Sequence, residues 1–193
     1  MGEDSERSGR RRSEAVLAGA THWATVDLID LGADGADIRS ALEQFGLRVN
    51  RFPIGQARHL VTALSEGHRA EFVVLDCHGV DGAVLIPGLS PELERQQPFH
   101  GVLTADDLRG FARFEGATVI STGCGTGGSG LGDAVLACGA ADYLAPTGYP
   151  EGHAAFFALS YLFYELAEGR SVAAAAEHLR GHDAELSMWR YFH

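Results

Sequence analysis

Residues 71–79 read Glu71-Phe72-Val73-Val74-Leu75-Asp76-Cys77-His78-Gly79. The unbroken apolar run Phe72 to Leu75, closed by an acid and a His-Gly pair, has the pattern of a short strand buried on both faces. A second stretch repeats it. Gly116-Ala117-Thr118-Val119-Ile120-Ser121 runs into Thr122-Gly123-Cys124-Gly125-Thr126-Gly127. Doubly buried strands belong to parallel sheets, whose crossover helices cover both sides. The two stretches therefore predict an α/β fold with a mostly parallel central sheet.

The flanking sequence supplies the rest of such a sheet. His22 to Leu31 reads as a first strand. A helix follows over about 35–45, with Ile38, Ala41, Leu42 and Phe45 on one face and Gly46 at the C-terminal cap position. Leu47 to Ile54 reads as an edge strand, and Gln56 to Glu66 as a second helix. Gly82 to Pro87 suggests a hairpin arm, and residues 88–100 an exposed loop. Thr104 opens a helix with Asp107 three residues on, the spacing of a capping box. A helix over 130–138, a fifth strand from Ala141 to Pro146, and helices over about 151–168 and 171–186 complete the pattern. Residues 1–20 are expected to form a disordered tail, charged at its start and without the apolar core of a signal peptide. Residues 21–193 are expected to form one domain.

Composition excludes several function classes. The formal net charge is -11, the wrong sign for a protein that displaces counterions from nucleic acid. All 15 basic residues are Arg, so Schiff-base, Ser-Lys and P-loop chemistry is closed. Three Cys in 193 residues argue against a disulfide framework. No apolar run has the length of a membrane span. The expected location is the cytoplasm, with no membrane or nucleic-acid partner.

In open α/β sheets the ligand crevice lies beyond the carboxyl ends of the strands. Both doubly buried strands end there in reactive residues. His78 and Cys124 are 46 residues apart, which leaves room for one crossover helix and a loop. A thiolate nucleophile needs an imidazole beside it to take its proton. Glycines on either side let a peptide approach and leave backbone N–H groups for a tetrahedral oxyanion. Cys77 and Cys138 read as small buried hydrophobes. His22, His59, His68, His100 and His193 read as surface or core residues. His178 and His182 share helical spacing, but Gly181 and the lack of a His-Glu-x-x-His pattern argue against a metal site. No Gly-x-Ser-x-Gly elbow is present, and Asn50, on the edge strand, is the sole Asn a Cys-His-Asn set could use.

A strand ending in His-Gly, followed by a Cys at the end of a later strand, resembles the caspase-like cysteine peptidases of clan CD. Gly123-Cys124-Gly125-Thr126-Gly127 is similar to the Ala-Cys-x-Thr-Gly segment of CHAT domains. The similarity continues through Gly130 to Val135, Cys138 to Ala141, Phe163 to Gly169 and Ser171 to Ala173. Gly123 stands in place of Ala, Cys77 in place of Ser, and Gly148-Tyr149-Pro150-Glu151-Gly152 in place of Trp-x-x-x-Asp. The resemblance implies a caspase-like three-layer sandwich and a peptidase with a His78–Cys124 dyad. It implies an oxyanion hole at the Gly79 and Cys124 amides, and neither metal nor organic cofactor. The partners implied are a protein or peptide substrate and a regulatory protein, and bacterial CHAT proteins often serve in defence-like systems. Candidates for the substrate pocket are Asp30, Asp34, Ser121, Thr122 and Thr147. Acids there would select a basic residue at the cleavage site, although Asp30 and Asp34 also suit turn and N-cap roles. Arg39, the Arg that would select an acidic residue, is poorly placed in a helix. Two other readings compete: a nucleotide-binding protein cradling phosphate on the Gly-rich loop 123–132, and an inactive caspase-like scaffold.

Overall fold

The computed structural model describes residues 12–32, 34–67 and 69–193. A short helix, α1 (Arg12–Leu17), precedes β1 (Ala24–Asp30). The chain then alternates through α2 (Gly35–Gln44), β2 (Leu47–Pro53), α3 (Ala57–Ser65) and β3 (Phe72–Asp76). Next come the short strands β4 (Gly79–Val80) and β5 (Ala83–Leu85), then α4 (Pro91–Glu94), β6 (Val102–Leu103) and α5 (Ala105–Phe111). After these come β7 (Thr118–Ser121), α6 (Ser129–Ala137), β8 (Asp142–Pro146), α7 (Gly152–Ala167) and α8 (Val172–Arg180). A 3-10 turn (Leu186–Met188) leads into β9 (Trp189–Phe192).

Six strands form the main sheet in the order β2-β1-β3-β7-β8-β9. All neighbours are parallel except β9, which runs antiparallel to β8. The apolar runs that predicted the sheet are buried on both faces because helices lie on each side. Val26, Leu28, Val74 and Ile120 face one core with α2, α7 and α8 residues such as Leu42, Leu162, Phe163 and Leu179. Ile29, Val73, Leu75 and Val119 face the other with Leu60, Leu108 and Val135. Alternation along each strand thus assigns every residue to a face.

The arm β4-β5-β6 is a separate small antiparallel sheet. Its hairpin turns at Asp81 and Gly82, which both have positive φ. Thr104 and Asp107 form the expected capping box on α5.

Several expectations need revision. Part of the expected tail, residues 1–11, lies outside the described residues. Arg12–Leu17, however, is helical, with Ala15 only 3% exposed. The helix expected over 171–186 stops at Arg180, because Gly181 takes the C-cap position. Residues 88–100 contain α4 and the buried Gln97, which binds the Arg58 amide and the Gln56 side chain. Strand β9 had no counterpart in the sequence reading. It is held by Trp189 and Phe192, whose rings enter the two cores.

Candidate active site

Strands β3 and β7 are hydrogen-bonded neighbours with a constant register, Phe72 opposite Thr118 through Leu75 opposite Ser121. The offset is 46 residues at every pair, the same as the separation of His78 from Cys124. His78 follows the end of β3 by two residues, and Cys124 follows the end of β7 by three. Parallel strands lie about 4.8 Å apart, so the segments carrying the two residues leave the sheet side by side. His78 is exposed and Cys124 half-buried, both at the carboxyl edge. Gly79 packs directly on the Cys124 segment. A methyl at Gly79 would overlap the Cys124 carbonyl oxygen and the Thr126 methyl group. The His78 carbonyl accepts from the Leu85 amide at 2.9 Å, which fixes the start of the arm.

The Cys124 loop is built by contacts, and these explain its glycines. Thr126 Oγ1 lies 2.6 Å from the Gly123 carbonyl, to which it donates, and 2.9 Å from Ser121 Oγ. The Gly123 amide donates to Ser121 Oγ, and Tyr143 OH donates to the Thr126 carbonyl at 3.0 Å. Ser121, Thr126 and Tyr143 are each 0% exposed, so this network lies beneath the loop. Gly125 has a φ of 66°, a backbone state that favours glycine, and its amide donates to Gly148 O. The Gly127 amide donates to Pro146 O, and a side chain at Gly127 would strike the β8 carbonyls. Close packing against β8 therefore requires these glycines. The Gly123, Gly125, Thr126, Gly127 and Gly128 amides all have acceptors within the protein. These five amides of the loop are thereby committed to the protein itself rather than to a phosphate.

Electrostatics separate the three cysteines. The Cys77 thiol is pushed up to about 12, chiefly by burial. Burial also raises Cys138. The Cys124 thiol is raised by burial and, less strongly, by the charge of Glu151; its own amide acts the other way. Its sulfur lies 3.9 Å from the Pro150 carbonyl, at the approach to α7. The resting sulfur is therefore a thiol that needs a base.

The candidate pocket residues fall in different places. Thr122 donates toward the Leu75 carbonyl and Asp76 Oδ1, both at 3.3 Å. Ser121 lies in the buried network rather than at the surface. Thr147 Oγ1 donates to Met188 O at 3.0 Å, and Thr147 lines a cavity of about 390 Å³ with Asp81, Gly125, Leu131 and Tyr149. Tyr149 OH donates to Asp81 Oδ1 at 3.0 Å, joining the post-β8 segment to the arm beside that cavity. Asp34 is exposed at the N-cap position of α2 and makes no side-chain cap bond. Asp30 is 5% exposed and ion-pairs with Arg51 NH2 at 2.6 Å.

Sequence reasoning missed Asp76. It is 6% exposed and is the register partner of Asp30 on the neighbouring strand. Its carboxyl is raised to about 6, first by burial and then by the charge of Asp30, with Asp34 adding and His78 and Thr122 opposing. Its position at the end of β3, two residues before His78, was the available signal. His68 lies outside the described residues. Glu165, in the pair of helices α7 and α8, is buried and bound by both Arg170 and His178, a structural cluster away from the strand ends.

No protein-family model matches the sequence, and no curated protein matches it. Solved structures do share the fold. The Arg-specific cysteine proteinase gingipain R superposes with a TM-score of 0.56 at 13% identity over 87% of this chain. The complex of pro- and mature domains of this proteinase from Porphyromonas gingivalis gives 0.54 at 11% identity over 88%. Saccharomyces cerevisiae separase, in its complex with securin, gives 0.56 at 12% identity over 88%. The chain spans 45% of the gingipain R chain, 46% of the chain in the pro–mature complex and 12% of the separase chain. The mostly parallel, helix-flanked sheet is thus the caspase-like arrangement of known cysteine proteinases. Among the described residues, no helix is long and apolar enough to cross a membrane.

Proposed function

We propose that this chain is a cysteine endopeptidase of the CHAT type, with Cys124 as nucleophile and His78 as its base. The observation that supports the reading is that β3 and β7 are paired neighbours whose following segments pack together, Gly79 against the Cys124 carbonyl, at the carboxyl edge of a fold held in common with cysteine proteinases. His78 takes the Cys124 proton as the sulfur attacks the scissile carbonyl carbon. The C–S bond forms, and the oxyanion is held by the Gly79 and Cys124 amides. The tetrahedral intermediate collapses, the C–N bond breaks, and His78 returns the proton to the leaving amine. Water, deprotonated by His78, then attacks the thioester and releases the carboxylic acid and the free thiol. The raised Cys124 thiol makes the base essential, because little thiolate exists before substrate arrives.

The close fit of Gly79 on Cys124 gives the two loops a common rigid support, which suits an oxyanion site shared between them. The cavity lined by Gly125, next to Cys124 in the chain, offers room for part of a substrate. Regulation by a protein partner and service in a bacterial defence system belong to the same reading.

A peptide-library digest tests it. Wild type is expected to cleave, and Cys124→Ala and His78→Ala to lose at least about a thousandfold in rate with unchanged folding. Equal cleavage by Cys124→Ala would remove the proposal.

A further inference from the structure

Helix α7 lacks the charged outer face that a surface helix normally presents. Between His153 and Glu168 it carries one charged residue, Glu165, and that side chain is buried and bound by Arg170 and His178. Its inner side enters the core through Ala158, Leu162, Phe163 and Leu166. Its outer side leaves Phe156 37%, Phe157 45% and Tyr164 50% exposed. A helix that is apolar all round is ordinarily covered on every side, so this face calls for a partner.

The pattern of the face points to its partner. At a spacing of four, the outer residues fall into two neighbouring rows along the helix. One is His153, Phe157 and Tyr161; the other is Ser160, Tyr164 and Glu168. Turned end for end, the first row matches the second: His153 meets Glu168, Phe157 meets Tyr164, and Tyr161 meets Ser160. Each copy offers both rows, so the match closes as a two-fold pair. Ser160 is the small residue at the crossing, where it lets two helices come within about 8–10 Å. Its hydroxyl already donates to the Phe156 carbonyl at 3.0 Å, so covering it strands no polar group. Phe157 and Tyr161 stand edge-on to His182, with ring centroids 5.5 and 5.8 Å away, which sets both rings in place beforehand. Other occupants fit less well. A helix lying on a membrane carries Lys or Arg along its polar edge, and neither row has one. Residues 1–11 (MGEDSERSGRR) offer Met1 as their sole large apolar side chain, too little to cover four aromatic rings.

We propose that the outer face of α7 is a self-association surface, on which two copies of this chain pair their α7 helices antiparallel about an axis near Ser160. The assignment does not depend on the peptidase reading. At roughly 200 Å² for each aromatic side chain, Phe156, Phe157 and Tyr164 together uncover about 260 Å² per copy. Their rings contribute on the order of 500 Å² to the pair, well short of the roughly 1,200–2,000 Å² of a stable complex. The dimer is therefore concentration-dependent, with an expected Kd of about 10–100 μM. Pro150, whose carbonyl lies 3.9 Å from Cys124 Sγ, stands two residues before α7, so the helix that pairs also carries the segment beside the sulfur.

Two readouts on the intact chain test this. Sedimentation velocity follows the mass from about tenfold below to about tenfold above that Kd. Wild type is expected to move from 20.5 kDa toward twice that mass. Ser160→Arg puts a bulky charge at the crossing and should raise the Kd at least about tenfold. His153→Glu sets like charges opposite each other and should raise it about threefold, and adding Glu168→Arg should restore it. In the second readout, tetranitromethane should nitrate Tyr164 more slowly above the Kd than below it. Tyr149, 60% exposed and outside both rows, should keep one rate. A monomer at every concentration overturns the pair, and binding of that monomer to phosphatidylcholine vesicles makes the face a membrane contact instead. A dimer that Ser160→Arg leaves intact, or one in which Tyr164 keeps its rate, overturns the assignment to α7. Failure of the double variant to recover overturns the antiparallel register. The nitration result comes from wild type alone and decides the matter even if a variant fails to fold.

Discussion

Asp76→Asn should make the protein more stable at pH 8 and leave it unchanged near pH 4. The Asp76 carboxyl is raised from its ordinary 3.8 to about 6 by burial and by Asp30. At 1.36 kcal/mol per pH unit, the folded state holds that charge at a cost of roughly 3 kcal/mol above pH 6. The sign follows from a raised carboxyl. Its stabilising, protonated state is fully present below the unfolded value and is lost as pH rises through about 6. Asparagine keeps the size, removes the charge and brings an amide that can donate to the orphaned Asp30 Oδ1. A gain of about 2–3 kcal/mol should raise Tm by roughly 5–10 °C at pH 8 for a chain of this length. Thermal unfolding of both proteins followed by circular dichroism from pH 4 to pH 8 gives the curve. The wild type should lose stability across that range relative to the variant, with most of the change between about pH 4 and pH 6. A variant equally stable at pH 8, or one whose advantage is the same at pH 4, would refute the claim that burial and Asp30 hold the carboxyl up. Retaining a destabilising acid at a strand end is the pattern expected where a site needs the charge more than the fold does.

Gly79→Ala should force the Cys124 carbonyl and Thr126 apart; we expect a loss of about 1–3 kcal/mol in urea unfolding and a larger loss of iodoacetamide labelling at Cys124. Tyr143→Phe removes the donor to the Thr126 carbonyl under the nucleophile loop, which should cost about 1–2 kcal/mol and slow Cys124 labelling. Iodoacetamide should modify half-buried Cys124 ahead of Cys77, whose thiol is held at about 12, and its rate should climb with pH through the alkaline range. Peptide mapping of the modified sites checks the order, and first modification at Cys77 would contradict it.

Much of the sheet could be read from residue type. The apolar runs at Phe72–Leu75 and Ala117–Ile120 had the signature of doubly covered strands, and Gly46 marked the end of a helix. His78 and Cys124 stood out because each follows such a run beside glycine. Strand β9 was invisible because its stabilising contacts are remote: Phe192 packs on Tyr143 and Trp189 joins the core beneath α8. Asp76 was passed over because strand-end acids are common in sequence. Only the pairing of β1 with β3 reveals that its neighbour is a second buried acid. Ser121 looked like a groove residue because it adjoins the Cys124 segment. The alternation of β7 turns its hydroxyl inward, to Thr126 and Gly123.

The strand ends that precede His78 and Cys124 are brought together by ladder pairing rather than by the length of chain between them. Whatever the intervening segment contains (arm, short helices or added loops), it only has to return the chain to the same rung beside β3. Lineages carrying this fold are thus free to elaborate that excursion into new binding surfaces, while a slip of one rung at Thr118 would turn the sulfur toward the opposite core.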